Sequence, residues 1–188
     1  DVLATQTLAM EKLKVRRIAV DGHLQPGVYS KDIILRVIAD LGVNGGIGYA
    51  YEFGGPLVHS LDMEARMSIC NMSIEGGARV GYINPDPTTF AYLRGRPYAP
   101  GDDRWAEAVA FWESMRSDPD AVYDDHFELN ADRLEPMVTW GINPGQAVPV
   151  TGRIPRLGEL DEAERETAAR ALEHMQFKEG QPMLGQPI

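Results

Sequence analysis

Cysteine is almost missing from this chain: Cys70 is the one thiol in 188 residues. That excludes an internal disulfide, and it leaves nothing from which this chain alone could build a site of several thiolates. Long apolar runs are missing as well. No stretch of about 18 apolar residues occurs, so no membrane-spanning helix is expected. Basic residues are scarce, 18 Lys+Arg against 28 Asp+Glu, which leaves a net charge of −10. A nucleic-acid surface needs a basic footprint, so this balance argues against one and suits a soluble cytoplasmic enzyme. The histidines His23, His59, His126 and His174 are scattered with no partner at metal-ligand spacing, and no residue is assigned as a metal ligand. No signal-peptide pattern and no initiator Met stand at Asp1, so the chain reads as an internal piece of a longer protein.

What is present suits a packed enzyme domain. Hydrophobic residues make up 44% of the chain, enough for a core, and the length fits one large domain or one domain plus part of another. Apolar spacing predicts a helix over 2–13, and a branched run predicts a strand over 15–20. Ser30 is expected to cap a helix running to Leu41, with Ile33, Ile34, Val37, Ile38 and Leu41 inward. Gly45-Gly46-Ile47-Gly48 reads as a helix stop and tight turn. Its spacing is wrong for a dinucleotide fingerprint, and it follows a helix rather than a strand. Strands are expected at 49–53, 80–83 and 123–130, and helices at 88–93, 102–117 and 159–174. In the second of these helices Trp105, Val109 and Trp112 share a side. The stretch 134–150 reads as irregular, being rich in Pro and Gly. Alternating strands and helices predict an α/β fold with a largely parallel sheet.

The most informative stretch is Leu61 to Gly81, read as one helix with two stripes. Met63, Met67, Cys70 and Ile74 recur at three- and four-residue steps as an apolar seam. Glu64, Ser68, Asn71 and Glu75 form a polar seam beside it. Asn71 and Glu75 stand one turn apart, so an amide and a carboxylate point the same way. Gly76-Gly77 follows and lets another backbone or a ligand come close. Cys70 on the apolar seam reads as a small buried hydrophobe rather than a nucleophile. Glu52, in a strand-like run before Gly54-Gly55, is either buried and paired or turned to a cleft.

Several strings carry a resemblance: Cys70-Asn71-Met72-Ser73-Ile74-Glu75-Gly76-Gly77-Ala78, Ser30-Lys31-Asp32-Ile33-Ile34-Leu35, Tyr51-Glu52-Phe53-Gly54-Gly55-Pro56, Pro85-Asp86-Pro87-Thr88-Thr89-Phe90, Gly95-Arg96-Pro97-Tyr98-Ala99-Pro100 and Val138-Thr139-Trp140-Gly141-Ile142-Asn143-Pro144-Gly145-Gln146. With Asp1 to Leu8 they resemble, in the same order, the large subunits of 3-isopropylmalate dehydratase in the aconitase superfamily. The resemblance implies an aconitase-like α/β/α domain. It divides the chain into the end of a preceding domain at 1–28, an α/β domain at 29–150 and a helical linker toward a cluster-binding domain at 151–188. It implies a hydro-lyase that interconverts 2- and 3-isopropylmalate in leucine biosynthesis, working with a separate small subunit and the rest of the large subunit on a small hydroxy-dicarboxylic acid. A four-iron, four-sulfur cluster is implied for the parent protein, held by three cysteines beyond Ile188 and not by this segment, which alone should be inactive.

By that resemblance Asn71 and Glu75 are the catalytic candidates, with Asn71 close to the cluster and Glu75 close to the iron-bound water. Thr139, Asn143 and Gln146 belong to a loop near substrate or cluster. Phe53-Gly54-Gly55, His59 and Gly76-Gly77 depart from the family strings, which keeps homoaconitase and methylmalate- or citraconate-type hydratases open as alternatives. A non-catalytic binding or docking module is the alternative of another class.

Overall fold

The computed structural model describes residues 2–186; Asp1, Pro187 and Ile188, at the ends of the chain, lie outside the described residues. Four strands form a parallel sheet: β1 (Lys14–Asp21), β2 (Tyr49–Gly54), β3 (Val80–Ile83) and β4 (Asp125–Asn130), in the order β3-β2-β1-β4. All three pairings are parallel, with Ile18 opposite Phe53 and Phe127, and Phe53 opposite Ile83. Helices α2 (Ser30–Leu41), α3 (Pro56–Ser60), α4 (Met63–Met72), α5 (Pro87–Leu93) and α6 (Asp102–Glu113) make the crossovers that parallel strands require. This is the expected α/β fold with a parallel sheet flanked by helices. The boundary expected at residue 28 falls inside one sheet, since β1 on its N-terminal side lies between β2 and β4.

The main core lies on one face of this sheet. Ile18, Val20, Tyr51 and Phe53 point to it by strand alternation and meet Ile33, Ile34, Val37 and Ile38 of α2 and Ile69 of α4. Of the inward set expected for α2, Ile33, Ile34, Val37 and Ile38 are buried and Leu41 only partly so, while Asp32 and Leu35 are buried as well. Ser30 is not the cap: Tyr29 is, and Asp32 reaches back to accept its backbone N–H at 2.7 Å. Trp105 and Trp112 of α6 meet edge to face at 5.6 Å, and Trp112 stacks on Phe90 of α5 at 5.9 Å.

Two expectations fail in instructive ways. The helix expected over 2–13 exists only as α1 (Val2–Thr5), with Leu3, Leu8 and Met10 left exposed. A short helix whose apolar side meets nothing lacks the packing that would hold it. The stretch 134–150, read as irregular, contains an antiparallel pair, β5 (Met137–Thr139) with β6 (Ala147–Pro149), Val138 standing opposite Val148. This pair supports a second, smaller core: Trp140, Ile154 and Met183 enclose Ala168, Ala171 and Leu172 of α7 (Glu162–Met175). The segment after residue 150 thus carries packed structure of its own besides a helix.

Candidate functional site

The stretch 61–81 is not one helix. Asp62 caps α4 by accepting the Ala65 N–H at 2.8 Å, and after Met72 the chain tightens into a 3₁₀ turn over Ser73–Gly76. The buried side is Arg66, Ile69, Ser73 and Gly76, whereas Met67 and Ile74 of the expected apolar seam are exposed. Arg66 displaces the seam because its charge is consumed internally. It is 2% exposed and grips both oxygens of Asp86 at 2.7 and 2.8 Å, as well as the carbonyls of His59 at 2.8 Å and Leu61 at 3.0 Å. Asp86 in turn caps α5 through the Thr89 N–H. Burial, the largest single influence, pushes the Asp86 carboxyl up, but the hydrogen bonds from Arg66 and Thr89 and the charge of Arg66 together outweigh it and hold the group below its ordinary value.

The glycine pair admits a backbone rather than a ligand. The Gly46 N–H donates to the Gly76 carbonyl at 2.8 Å, and a Cβ on Gly46 would lie 2.3 Å from the Ala78 nitrogen. The turn after α2 therefore locks onto the 3₁₀ turn that carries Glu75.

The polar stripe survives this correction. Ser68, Asn71 and Glu75 line one wall of a groove of about 890 Å³. Tyr29, Lys31, Asp32 and Leu35 at the start of α2 line another part, and Met137 to Thr139 with Gly141 to Pro144 close it. Among the described residues neither Asn71 nor Glu75 has a hydrogen bond or ion pair through its side chain, and both are exposed. Thr139 and Asn143 reach the same groove; Gln146 does not. Gln146 lies behind the loop, 8% exposed, and its Oε1 accepts the Ile142 N–H at 2.7 Å while its carbonyl accepts the Trp140 N–H at 2.9 Å. It shapes the loop that presents Thr139, Ile142 and Asn143. Asp32 joins the walls, since its Oδ1 accepts the Met137 N–H at 2.7 Å.

Glu52 is buried and paired. It is 0% exposed and accepts from Arg17 Nη1 at 2.5 Å, Ser117 Oγ at 2.6 Å, the Tyr82 and Tyr123 hydroxyls at 2.9 Å and Asn84 Nδ2 at 3.0 Å. Burial alone pushes its carboxyl up; the bonds from Ser117, Tyr123 and Tyr82 and the charge of Arg17 reverse that and leave it below its ordinary value. Cys70 is half-buried against the main core, and burial pushes its thiol up to about 11, against a smaller opposing pull from Arg66.

Whether these residues could hold a metal centre follows from the donor set. Among the described residues no three His, Cys, Asp or Glu side chains gather as a metal site, and the single thiol is held protonated. An iron–sulfur cubane needs several thiolates, so the residues of this chain do not fit one by themselves. What the groove offers is a free carboxylate and a free amide, one helical turn apart, on a wall shared with a polar loop. Such a wall can bind a small polar molecule and exchange a proton with it. Among the described residues no helix is long and apolar enough to cross a membrane.

A parallel sheet flanked by helices, with polar groups converging on a lateral groove, defines an α/β domain of the kind that carries enzyme sites. The chain belongs to the aconitase (aconitate hydratase) family, whose family model matches residues 1–188. It is 62% identical over 188 residues to the 3-isopropylmalate dehydratase large subunit of Thermus thermophilus, covering all of this chain and 40% of that protein. It is 58% identical to the protein of that name from Synechococcus sp., with the same coverage. Against that of Salinibacter ruber it is 58% identical over 185 residues, 98% of this chain and 39% of the relative. The chain thus spans about 40% of the length of the curated relatives it matches.

Proposed function

We propose that this chain is part of the large subunit of a 3-isopropylmalate dehydratase, a cytoplasmic hydro-lyase of leucine biosynthesis completed by the rest of that subunit and by a small subunit. The observation that carries the reading is the groove: it brings Asn71 and Glu75 together with Thr139 and Asn143, residues far apart in the chain. When bound in the parent, an iron–sulfur cluster would supply Lewis-acid chemistry at the substrate oxygens; its protein ligands lie outside this chain. The residues here do the proton work. Glu75, unpaired among the described residues, accepts a hydrogen bond or a proton from a hydroxyl in the groove. Asn71, one turn earlier, donates and accepts without titrating and so orients the same oxygen.

The test uses the full-length large subunit assembled with its small subunit and reconstituted with iron and sulfide. Glu75→Gln keeps shape and removes proton acceptance. Turnover of 3-isopropylmalate should fall by roughly 10²–10⁴-fold, with circular dichroism and melting temperature unchanged. Turnover within a few-fold of wild type would refute the role of Glu75. The 188-residue chain alone should show neither turnover nor cluster absorbance after the same reconstitution.

A further inference from the structure

We infer that Lys31 is the residue with which this chain grips a carboxylate of the substrate, a contribution to affinity rather than to bond breaking. The inference rests on the hydro-lyase reading above and deepens it. A dianionic hydroxy acid entering the groove meets the carboxylates of Glu75 and Asp32, and a groove of that sign repels it unless a cation answers. Among the described residues lining the groove, Lys31 is the only cation.

Lys31 is also uncommitted. The chain holds ten more acidic than basic side chains, and Arg16, Arg17, Arg36, Arg66, Arg94 and Arg170 each pair with a carboxylate. Among the described residues Lys31 has no such partner, although its chain neighbour Asp32 is a carboxylate. Both oxygens of Asp32 are taken by backbone N–H groups, of Tyr29 and of Met137, so Asp32 is turned away from the role of counter-ion. Those two bonds also fix the backbone from which Lys31 projects, in the first turn of the 12-residue α2. Standing in that first turn, Lys31 shares its wall of the groove with the positive end of the helix dipole. The backbone beneath it is anchored, the ammonium has no partner among the described residues, and the cavity it borders holds the groups proposed to act on the same molecule.

The experiment measures steady-state kinetics and calorimetric binding of 3-isopropylmalate to the reconstituted two-subunit parent, for wild type, Lys31→Gln and Lys31→Arg. Lys31→Gln should raise KM and Kd by roughly 10–100-fold, the range for losing a hydrogen bond to a charged group, with kcat within a few-fold and the melting temperature unchanged. Lys31→Arg should restore most of the affinity, and added salt should weaken binding to wild type more than to Lys31→Gln. Unchanged KM and Kd in Lys31→Gln of an active parent, or a loss confined to kcat, would overturn the assignment of Lys31 and leave the dehydratase reading standing. A wild-type parent that neither binds nor turns over isopropylmalate would overturn both.

Discussion

Replacing Glu52 by Gln tests how much of the fold hangs on one buried charge. Five donors converge on this carboxylate, three at Oε1 (Arg17, Asn84, Tyr123) and two at Oε2 (Ser117, Tyr82). A carboxamide accepts through one oxygen only. Its NH₂ must sit at the Oε2 position, because there the two partners are hydroxyls that can rotate to accept, whereas the Arg17 guanidinium and the Asn84 Nδ2, whose Oδ1 is taken by the Ser117 N–H, can only donate. The five contacts can thus be kept in number. What is lost is the charge opposite Arg17 and the extra strength of charge-assisted bonds. Breaking a buried pair outright costs about 3–5 kcal/mol, so the isosteric change should cost about 2–4 kcal/mol. For a chain of this size about 3 kcal/mol lowers the melting temperature by roughly 6–12 °C. Urea and thermal unfolding followed by circular dichroism measure both. The pH dependence carries a sign. The folded Glu52 titrates below its ordinary value, so the unfolded chain binds more protons as pH falls through that range. The stabilisation is fully present above about pH 4.3 and is lost below it. The gap between wild type and variant should therefore be constant near neutrality and shrink in acid. A variant within about 0.5 kcal/mol of wild type at pH 7, or a gap that widens in acid, would refute the reasoning.

Arg66→Ala leaves Asp86 and two carbonyls without their donor and should cost about 3–5 kcal/mol in urea unfolding; Arg66→Lys should recover less than half, because an ammonium cannot reproduce the forked geometry. Gly55 has φ +101°, and an added Cβ would lie 2.5 Å from the Val20 carbonyl, so Gly55→Ala should destabilise by about 2–4 kcal/mol in the same assay. With its thiol pushed up to about 11, Cys70 has roughly one part in a thousand as thiolate at pH 8. It should resist a thiol-specific disulfide reagent in the native protein and react at once in urea.

Much of the scaffold is legible in the residues because local pattern and tertiary demand agree there. The inward set of α2 follows from helical spacing, and Val80–Ile83 forms a strand where a short branched run is bounded by turns. Legibility ends where a side chain's partner lies across the sheet. Glu52 could be read as buried and paired or as turned to a cleft. The choice depends on Arg17 and Tyr82 standing beside it in neighbouring strands and on Ser117 and Tyr123 folding over it, which strand order decides. The same gap lies behind the stretch after Leu61. Spacing alone puts Met67 and Ile74 inside, because nothing local announces that Arg66 will be neutralised by Asp86, the residue that caps α5. Gln146 was legible as part of a special loop but not as the member that faces inward.

The molecule separates what holds it together from what its groove offers. Its buried charges are saturated: Arg66 has four acceptor atoms, Glu52 five donors, and Asp32 a backbone N–H on each oxygen. The groove-facing groups Lys31, Asn71 and Glu75 have none among the described residues. Saturation makes the first set costly to alter and useless for binding anything else. Vacancy makes the second set cheap to alter and available. The joint between the sets is the 3₁₀ turn. Ser73 is buried and bonds Ile69, Gly76 accepts the Gly46 N–H, and Glu75 lies between them facing out. Rigidity on both sides of a free carboxylate is the condition for holding it at a fixed position against a substrate. A site of this construction should lose chemistry without losing structure when Glu75 changes. A solvated helix face would lose neither.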